Sequence, residues 1–198
     1  MQNLLTQWLA FSWLESAGFV LTLAGIALAA RNVVLTWPLQ MLAGVIYVVL
    51  FCQYQLFGEA ALNGLYVLLA AYGWRAWRRS GEVPVLPISR MGRGELVLFW
   101  GVGVLGTLLV AQLQLHFLPT ALPWLDSAVF VFGVLAQWLQ ARRKLWNWPV
   151  WIVLDLLAAG IYFYKALSLT GLLYLLLAAL AAYGWWDWRR LMRGQGGA

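Results

Sequence analysis

The sequence AAYGWRAWRR at residues 70–79 returns as AAYGWWDWRR at residues 181–190, which is 111 residues later. Two further pairs keep this offset: WLESAGF at 13–19 with WLDSAVF at 124–130, and ARNVVLTWP at 30–38 with ARRKLWNWP at 141–149. Residues 13–79 therefore align without gaps onto residues 124–190, with 23 of 67 positions identical. Chance similarity between leucine-rich segments would not keep one register over this length. We infer an internal repeat.

The composition indicates a membrane protein. Hydrophobic residues make up 64% of the 198 residues and charged residues only 10%, whereas a soluble domain has about 25% charged residues. The single Cys52 excludes a disulfide within the chain and a multi-cysteine metal site, and the single His116 excludes a histidine-cluster site. We therefore expect an all-α, polytopic membrane protein without a metal or other cofactor.

Hydropathy and helix-breaking residues predict seven transmembrane helices, because a span needs about 20 mostly apolar residues. The predicted spans are 14–30, 34–53, 58–76, 95–115, 122–141, 147–164 and 167–187. The chain then divides into a first three-helix repeat at 13–79, a loop and linker helix at 80–123, and a second three-helix repeat at 124–190.

The basic residues predict the orientation of these spans. In the seven-span arrangement only Lys165 lies on one side of the membrane. Twelve basic residues share the other side: Arg31, Arg75, Arg78, Arg79, Arg90, Arg93, Arg142, Arg143, Lys144, Arg189, Arg190 and Arg193. The positive-inside rule then places the N-terminus outside and the C-terminus in the cytoplasm. The net charge of +6 is explained by this orientation, so we expect no nucleic-acid partner.

The extra span between the repeats decides their relative orientation. Each repeat holds three spans, and span 95–115 brings the second repeat into the same orientation as the first. Parallel repeats are a transporter architecture, in which the substrate binds near the membrane midplane between the repeats. This three-plus-one-plus-three layout resembles the SWEET sugar transporters. A duplication that serves stability alone, without transport, is the alternative.

Features present in both repeats are interpreted as scaffold. Trp-Pro at 37–38 and at 148–149 is typical of a helix start, where proline loses no hydrogen bond. The shared tryptophans are expected to anchor the helices at the membrane interface; these are Trp37, Trp74, Trp77, Trp148, Trp185 and Trp188.

Features present in one repeat only are the better candidates for binding an asymmetric ligand. Asn147, Trp151 and Asp155 are spaced by four residues and share one stripe of the sixth span. The aligned residues of the first repeat are Thr36, Gln40 and Gly44, and Asn63 similarly aligns with Tyr174. An acid about two turns inside a membrane helix is a functional candidate that should face the bundle interior. Two simpler interpretations stay open: Asp155 is protonated, or it pairs with Tyr47, Asn63 or Tyr162.

A carboxylate beside tryptophan faces suits a flat, cationic ligand, because the rings add cation–π attraction to the charge. Gln40, Asn63 and Asn147 are expected to hydrogen-bond the hydroxyls of an attached sugar. An enzyme is disfavoured, because no nucleophile–base pair or catalytic motif is recognisable. The glycine-rich GVGVLG at 101–106 has no preceding strand and is attributed to close helix packing.

These residues resemble the PnuC-type vitamin transporters over residues 14–190. The similarity is carried by RRKLWNWPVWIVLDLLAAGIYFYKALSLTGLLYLLLAALAAYGWWDWRR at 142–190 and by ESAGFVLTLAGIALAARNVVLTWP at 15–38. The resemblance implies substrate-binding positions at Trp37, Gln40, Asn63, Tyr66, Asn147, Trp148, Trp151, Asp155 and Tyr174. Departures from the family pattern fall at Gln40, Asn63 and Trp146, so they put the substrate in doubt.

The resemblance also implies a transport process, a membrane and an oligomeric state. Members of the family facilitate uptake of a vitamin, best known as nicotinamide riboside, through the bacterial cytoplasmic (inner) membrane. They assemble as homotrimers, and a cytoplasmic vitamin kinase traps the substrate after entry. Thiamine is the first alternative substrate and riboflavin the second, because neutral riboflavin leaves Asp155 without a counter-charge. A membrane-embedded binding subunit of an ATP-driven transporter is the rival from another class.

Overall fold

The computed structural model describes residues 13–78, 86–117, 122–164 and 168–195, and these ranges contain seven α-helices. The helices are α1 (Trp13–Ala30), α2 (Thr36–Gln53), α3 (Phe57–Arg78), α4 (Arg93–Phe117), α5 (Pro123–Ala141), α6 (Asn147–Tyr164) and α7 (Ser168–Gln195). Each predicted span is a helix, and the ends agree within two residues except at the C-terminus of α7. That helix continues eight residues beyond the predicted residue 187. We call α1–α3 the first triplet and α5–α7 the second triplet.

Four of these helices are long and apolar enough to cross a membrane by length and composition: α1, α2, α4 and α6. Their outward faces carry large apolar side chains, and on α4 these include Val97, Leu105 and Leu109, which are 63–74% exposed. Such a surface suits lipid, since a soluble protein rarely exposes a large contiguous apolar patch.

The two triplets form a closed ring of helices. Within each triplet, consecutive helices pack against each other. Between the triplets, α3 packs against α5, and α7 packs against α1. In the described part of the chain α4 lies outside this ring and packs only against α5. There its glycines give close contact, because a Cβ on Gly103 would lie 2.5 Å from Cζ of Phe132. The packing interpretation of GVGVLG is confirmed for Gly103 and Gly106, whereas a Cβ on Gly101 would meet nothing within 4 Å.

A cluster of four buried tryptophans lies where the triplets meet. Trp37 and Trp148, from the first turns of α2 and α6, are 0% and 1% exposed. Each ring packs flat onto a glycine of the next helix, because a Cβ on Gly73 or Gly184 would lie 2.6–2.7 Å from the indole. These glycines are therefore required by the close approach of the tryptophan.

The other two tryptophans of the cluster exchange hydrogen bonds between the triplets. Trp77 of α3 donates from Nε1 to the carbonyl oxygen of Ala141, at the end of α5, over 3.1 Å. Trp188 of α7 donates from Nε1 to the carbonyl oxygen of Ala29, near the end of α1, over 3.0 Å. The Trp77 and Trp188 ring centroids are 5.9 Å apart. Each triplet thus caps a helix end of the other.

The interpretation of these side chains as membrane-interface anchors is wrong for Trp37, Trp77, Trp148 and Trp188. All four are at most 1% exposed and have no access to a membrane surface. The reason is that the Trp-Pro and YGW segments of the two triplets meet at one end of the ring.

The segment before α4 is tied to the loop between α5 and α6. The amide of Ser89 donates to the carbonyl of Arg143 over 3.1 Å, and the amide of Leu145 donates to the carbonyl of Ser89 over 2.9 Å. Lys144 then forms an ion pair with Glu95 at 2.8 Å. The linker helix is therefore fixed to the second triplet. Residues 80–85 and 118–121 of the predicted loop and linker helix, and Arg79 at the end of the first repeat, lie outside the described residues.

Candidate functional site

Asp155 lies in the interior of the helix ring. It is eight residues into α6, about 12 Å from the start of that helix at 1.5 Å per residue, and it is only 7% exposed. The phenol groups of Tyr66 from α3 and Tyr174 from α7 lie near enough to interact with it electrostatically. No described residue donates a hydrogen bond or a positive charge to its carboxylate. The interpretation that Asp155 faces the interior is confirmed, and the described part of the chain does not pair it with Tyr47, Asn63 or Tyr162.

Trp151 and Tyr66 form the aromatic wall on one side of this carboxyl group. Their ring centroids are 6.0 Å apart, at 65°, which is the edge-to-face arrangement that aromatic pairs prefer. The hydroxyl of Tyr66 lies directly against Gly133 of α5, where any side chain would collide with it. Tyr66 thus contacts both α5 and α6 of the second triplet.

A second aromatic wall is built by Tyr162 of α6 and Tyr174 of α7. The rings stack with centroids 5.3 Å apart and planes at 9°. The hydroxyl of Tyr47, from α2, is close enough to act electrostatically on Tyr174. Tyrosines from α2, α3, α6 and α7 therefore converge around Asp155.

A chain of amide hydrogen bonds crosses from the first triplet to the second. Thr36 donates to the carbonyl of Gly25 over 2.8 Å, and Gln40 donates from Nε2 to the Thr36 hydroxyl over 2.7 Å. Gln137 of α5 then donates from Nε2 to Oε1 of Gln40 over 2.7 Å. Gln137 lies one turn after Gly133, so this amide pair adjoins the Tyr66 hydroxyl. The ring interior thus offers one carboxyl group, flat aromatic faces and two adaptable amides.

The family profile described as Nicotinamide mononucleotide transporter matches residues 12–190. The chain belongs to this family. Among curated relatives, the riboflavin/roseoflavin transporter RibM of Streptomyces davaonensis is 30% identical over 183 residues, covering 89% of this chain and 84% of that protein. The nicotinamide riboside transporter PnuC of Escherichia coli is 22% identical over 211 residues, covering 93% of this chain and 88% of that protein.

A solved structure shows the same fold. The crystal structure of the vitamin B3 transporter PnuC superimposes with a TM-score of 0.75 at 24% identity, covering 96% of this chain and 88% of that one. Together with the apolar helices, the family membership makes this chain a multi-pass bacterial membrane protein of a vitamin transporter family. The resemblance to PnuC-type transporters is confirmed.

Five of the nine predicted binding residues of this family member lie together: Gln40, Tyr66, Trp151, Asp155 and Tyr174. Among the described residues, no hydrogen bond or ring contact joins the other four to the carboxyl group, although Trp151 packs against the tryptophan cluster. Trp37 and Trp148 belong to the buried tryptophan cluster, although no described residue accepts a hydrogen bond from either Nε1.

The remaining two predicted residues are bound locally. Asn63 donates to the carbonyl of Glu59, one turn earlier in α3. Asn147 is fully buried and donates to the carbonyl of Lys144, while its Oδ1 has no partner among the described residues.

The residue that sequence reasoning missed in this family member is Gln137, which is 5% exposed. Its aligned residue in the first repeat is Ile26. A buried amide in one repeat that aligns with an apolar residue in the other shows the same asymmetry between the repeats as Asp155, which aligns with Gly44. The asymmetry between the repeats therefore marks Gln137 as well, but Gln137 lies in the fifth span, and the resemblance assigns the binding positions to the second, third, sixth and seventh spans.

Proposed function

We propose that the protein carries nicotinamide riboside, a flat aromatic cation with an attached sugar, through the bacterial cytoplasmic membrane. The observation that carries this proposal is the buried carboxyl group of Asp155, which has no cationic partner among the described residues and is surrounded by aromatic rings. A buried charge is costly unless it is paired. A bound cation supplies the missing opposite charge. The carboxylate is therefore unpaired when the site is empty and paired when the substrate is bound.

The surrounding groups fit the rest of this substrate. The faces of Trp151 and Tyr66 offer a cation–π contact worth up to about 2 kcal/mol when desolvated. The amides of Gln40 and Gln137 each have both donor and acceptor capacity. When the substrate binds, their mutual hydrogen bond is replaced by hydrogen bonds to the ribose hydroxyls or the carboxamide.

For translocation, we take the triplets as parallel repeats of a SWEET-like, seven-span transporter with the N-terminus outside. Aligned residues Asn32 and Arg143 support the repeats, because both adopt left-handed backbone conformations, with φ of 58° and 49°. The reciprocal contacts of α3 with α5 and of α7 with α1 also fit an exchange of the triplets by rotation. Rocking of one triplet against the other gives alternating access. Movement is downhill, in a homotrimer, and a cytoplasmic kinase retains the product.

Riboflavin is the second candidate substrate, because RibM is 30% identical to this chain while the E. coli PnuC is 22% identical. Its ring system is neutral and wide, and the two tyrosine and tryptophan walls suit stacking. In that case Asp155 acts in its protonated form, as a hydrogen-bond donor. Thiamine, also a flat cation, would pair with the same carboxylate. Only an uptake experiment therefore distinguishes it from nicotinamide riboside.

The test is equilibration of labelled nicotinamide riboside, thiamine and riboflavin into liposomes that contain the purified chain. We expect uptake of nicotinamide riboside without an ion gradient or ATP. Asp155→Asn should reduce uptake of a cation at least tenfold, because it removes the counter-charge. Asp126→Asn, at the first turn of α5, is the matched control and should transport normally.

The outcomes of this test distinguish the proposed substrate from riboflavin, and a transporter from a binding subunit. Uptake of riboflavin alone, with little effect of Asp155→Asn, would replace the substrate with riboflavin. Tight binding without movement of any vitamin would indicate a binding subunit that needs an ATP-driven partner.

A further inference from the structure

A groove of arginines and tryptophans runs along the C-terminal end of α7, outside the helix ring. A cavity of about 510 Å³ is lined by Trp185, Trp186, Arg189, Arg190 and Arg193. A second cavity of about 230 Å³ shares Trp185 and Arg189 and continues to Arg90, Leu145, Trp146 and Pro149. The two cavities adjoin at Trp185 and Arg189, and we call the surface that they form between α7, the start of α6 and the segment before α4 the α7 groove.

The charge of the α7 groove is largely uncompensated. Asp187 pairs with Arg190 at 3.1 Å. Among the described carboxylates, none forms an ion pair with Arg90, Arg189 or Arg193. The groove also adjoins the N-terminus of α6, where the helix dipole is positive. An anion is therefore the expected ligand.

The guanidinium groups are held in place by the indoles beneath them. Arg189 lies over Trp185, 5.1 Å from the ring centroid, and Arg190 lies over Trp186 at 5.2 Å. A guanidinium over an indole keeps N–H groups available at its edge, and its planar fork suits bidentate binding of a phosphate. The groove therefore offers donors for phosphate oxygens.

The apolar part of the α7 groove indicates a lipid as the source of that phosphate. Trp186 is 56% exposed. It shares its face of α7 with three exposed residues at helical spacing, Leu172, Leu175 and Ala179. This stripe leads away from the arginines along the outside of the bundle. An acyl chain fits the stripe while its headgroup occupies the arginines, as in basic pockets between membrane helices.

We infer that the α7 groove binds the headgroup of an anionic phospholipid, with the phosphate on Arg189, Arg193 and Arg90 and an acyl chain along the exposed face of α7. The inference goes beyond vitamin transport and does not depend on it. Bound lipid would fasten the second triplet and the α4 segment to the membrane surface at this end of the bundle.

The test is binding of phosphatidylglycerol and phosphatidylcholine to the purified full-length chain in neutral detergent, measured by native mass spectrometry. The variant is Arg189→Gln combined with Arg193→Gln. The matched control is Arg78→Gln, because Arg78 aligns with Arg189 and lies over Trp74 at 4.9 Å. Both cavities lie at α7, away from this first-triplet pair.

We expect phosphatidylglycerol to bind wild type and the control equally, and the double variant roughly 30-fold more weakly, since each basic residue near an anionic membrane contributes about a factor of five. Arg189→Lys with Arg193→Lys should recover part of that loss, because charge remains and the bidentate geometry does not. Unchanged unfolding temperatures without lipid would establish that the variants are folded.

Three results would overturn the inference. They are equal affinity for phosphatidylcholine, unchanged phosphatidylglycerol affinity in the double variant, and displacement of the lipid by millimolar inorganic phosphate. The last result would identify a soluble phosphate as the ligand.

Discussion

Gly73→Ala tests whether the tryptophan cluster is as closely packed as the structure shows. A Cβ at Gly73 would lie 2.6 Å from Cη2 and Cζ2 of Trp37. The Trp37 ring cannot move outward, because it is fully buried and its edge packs on Trp77 with centroids 5.1 Å apart. To restore normal contact the ring must shift by about 1 Å, so the substitution overpacks the cluster, at a cost of about 1–3 kcal/mol.

The same helix supplies the control. Gly64 is also in α3, and a Cβ there meets nothing within 4 Å. Replacing a helical glycine with alanine gains about 0.8–1 kcal/mol from propensity alone, and Gly64→Ala keeps that gain. In Gly73→Ala the gain is offset by the overpacking. Taking the upper half of the overpacking range, the net loss is about 1–2 kcal/mol, which for a chain of this size lowers the unfolding temperature by roughly 2–8 °C.

The measurement is thermal unfolding of the three purified proteins in one detergent, followed by tryptophan fluorescence. Gly184→Ala should behave like Gly73→Ala, since its Cβ would lie 2.7 Å from Trp148. If Gly73→Ala and Gly64→Ala unfold at the same temperature, the close approach of Trp37 to α3 is refuted.

Three further predictions concern the contacts between helices. Trp77→Phe should lower the free energy of unfolding by about 1–3 kcal/mol, because the buried carbonyl of Ala141 loses its donor. The measurement is thermal unfolding, with Tyr72→Phe, at an exposed residue of the same helix, as the control. Gln137→Leu should raise the KM for vitamin uptake at least fivefold by removing a polar partner of Gln40; an unchanged KM in liposomes would exclude Gln137 from the site. Glu95→Gln should change stability by less than about 1 kcal/mol, because Glu95 is 40% exposed in its pair with Lys144 and the backbone bonds of Ser89 hold the segment before α4 without it. A larger shift in chemical unfolding would contradict this small contribution of the ion pair.

The helices were predictable from the sequence, because hydropathy and helix-breaking residues act locally. The Trp-Pro at 148–149 marks the start of α6, which begins at Asn147 as predicted. In the structure α7 continues through Arg193 to Gln195. The predicted span ends at residue 187, because charged residues follow the apolar stretch there. Helix propensity continues past the apolar stretch, so the end of a membrane span is not the end of its helix.

The site was predictable in part. Asp155 was identified because a carboxyl group inside an apolar helix has few explanations. The burial of Trp77 and Trp188 was not predictable, since an interfacial tryptophan and one that reaches into the other triplet have the same local sequence. The bond from Gln137 to Gln40 joins residues that are 97 positions apart in the sequence, and a single sequence does not show which helices are neighbours.

The exchanged indole bonds of Trp77 and Trp188 make the two openings of the ring energetically unequal. Separating the triplets at the tryptophan end breaks both bonds, whereas separating them at the opposite end breaks neither. Two hydrogen bonds with a net value of about 0.5–1.5 kcal/mol each amount to about 1–3 kcal/mol, a factor of roughly 5–150 in population. If the triplets rock as proposed above, these two bonds favour conformers that are closed at the tryptophan end. In that mechanism, opening the tryptophan end breaks both indole bonds in every transport cycle.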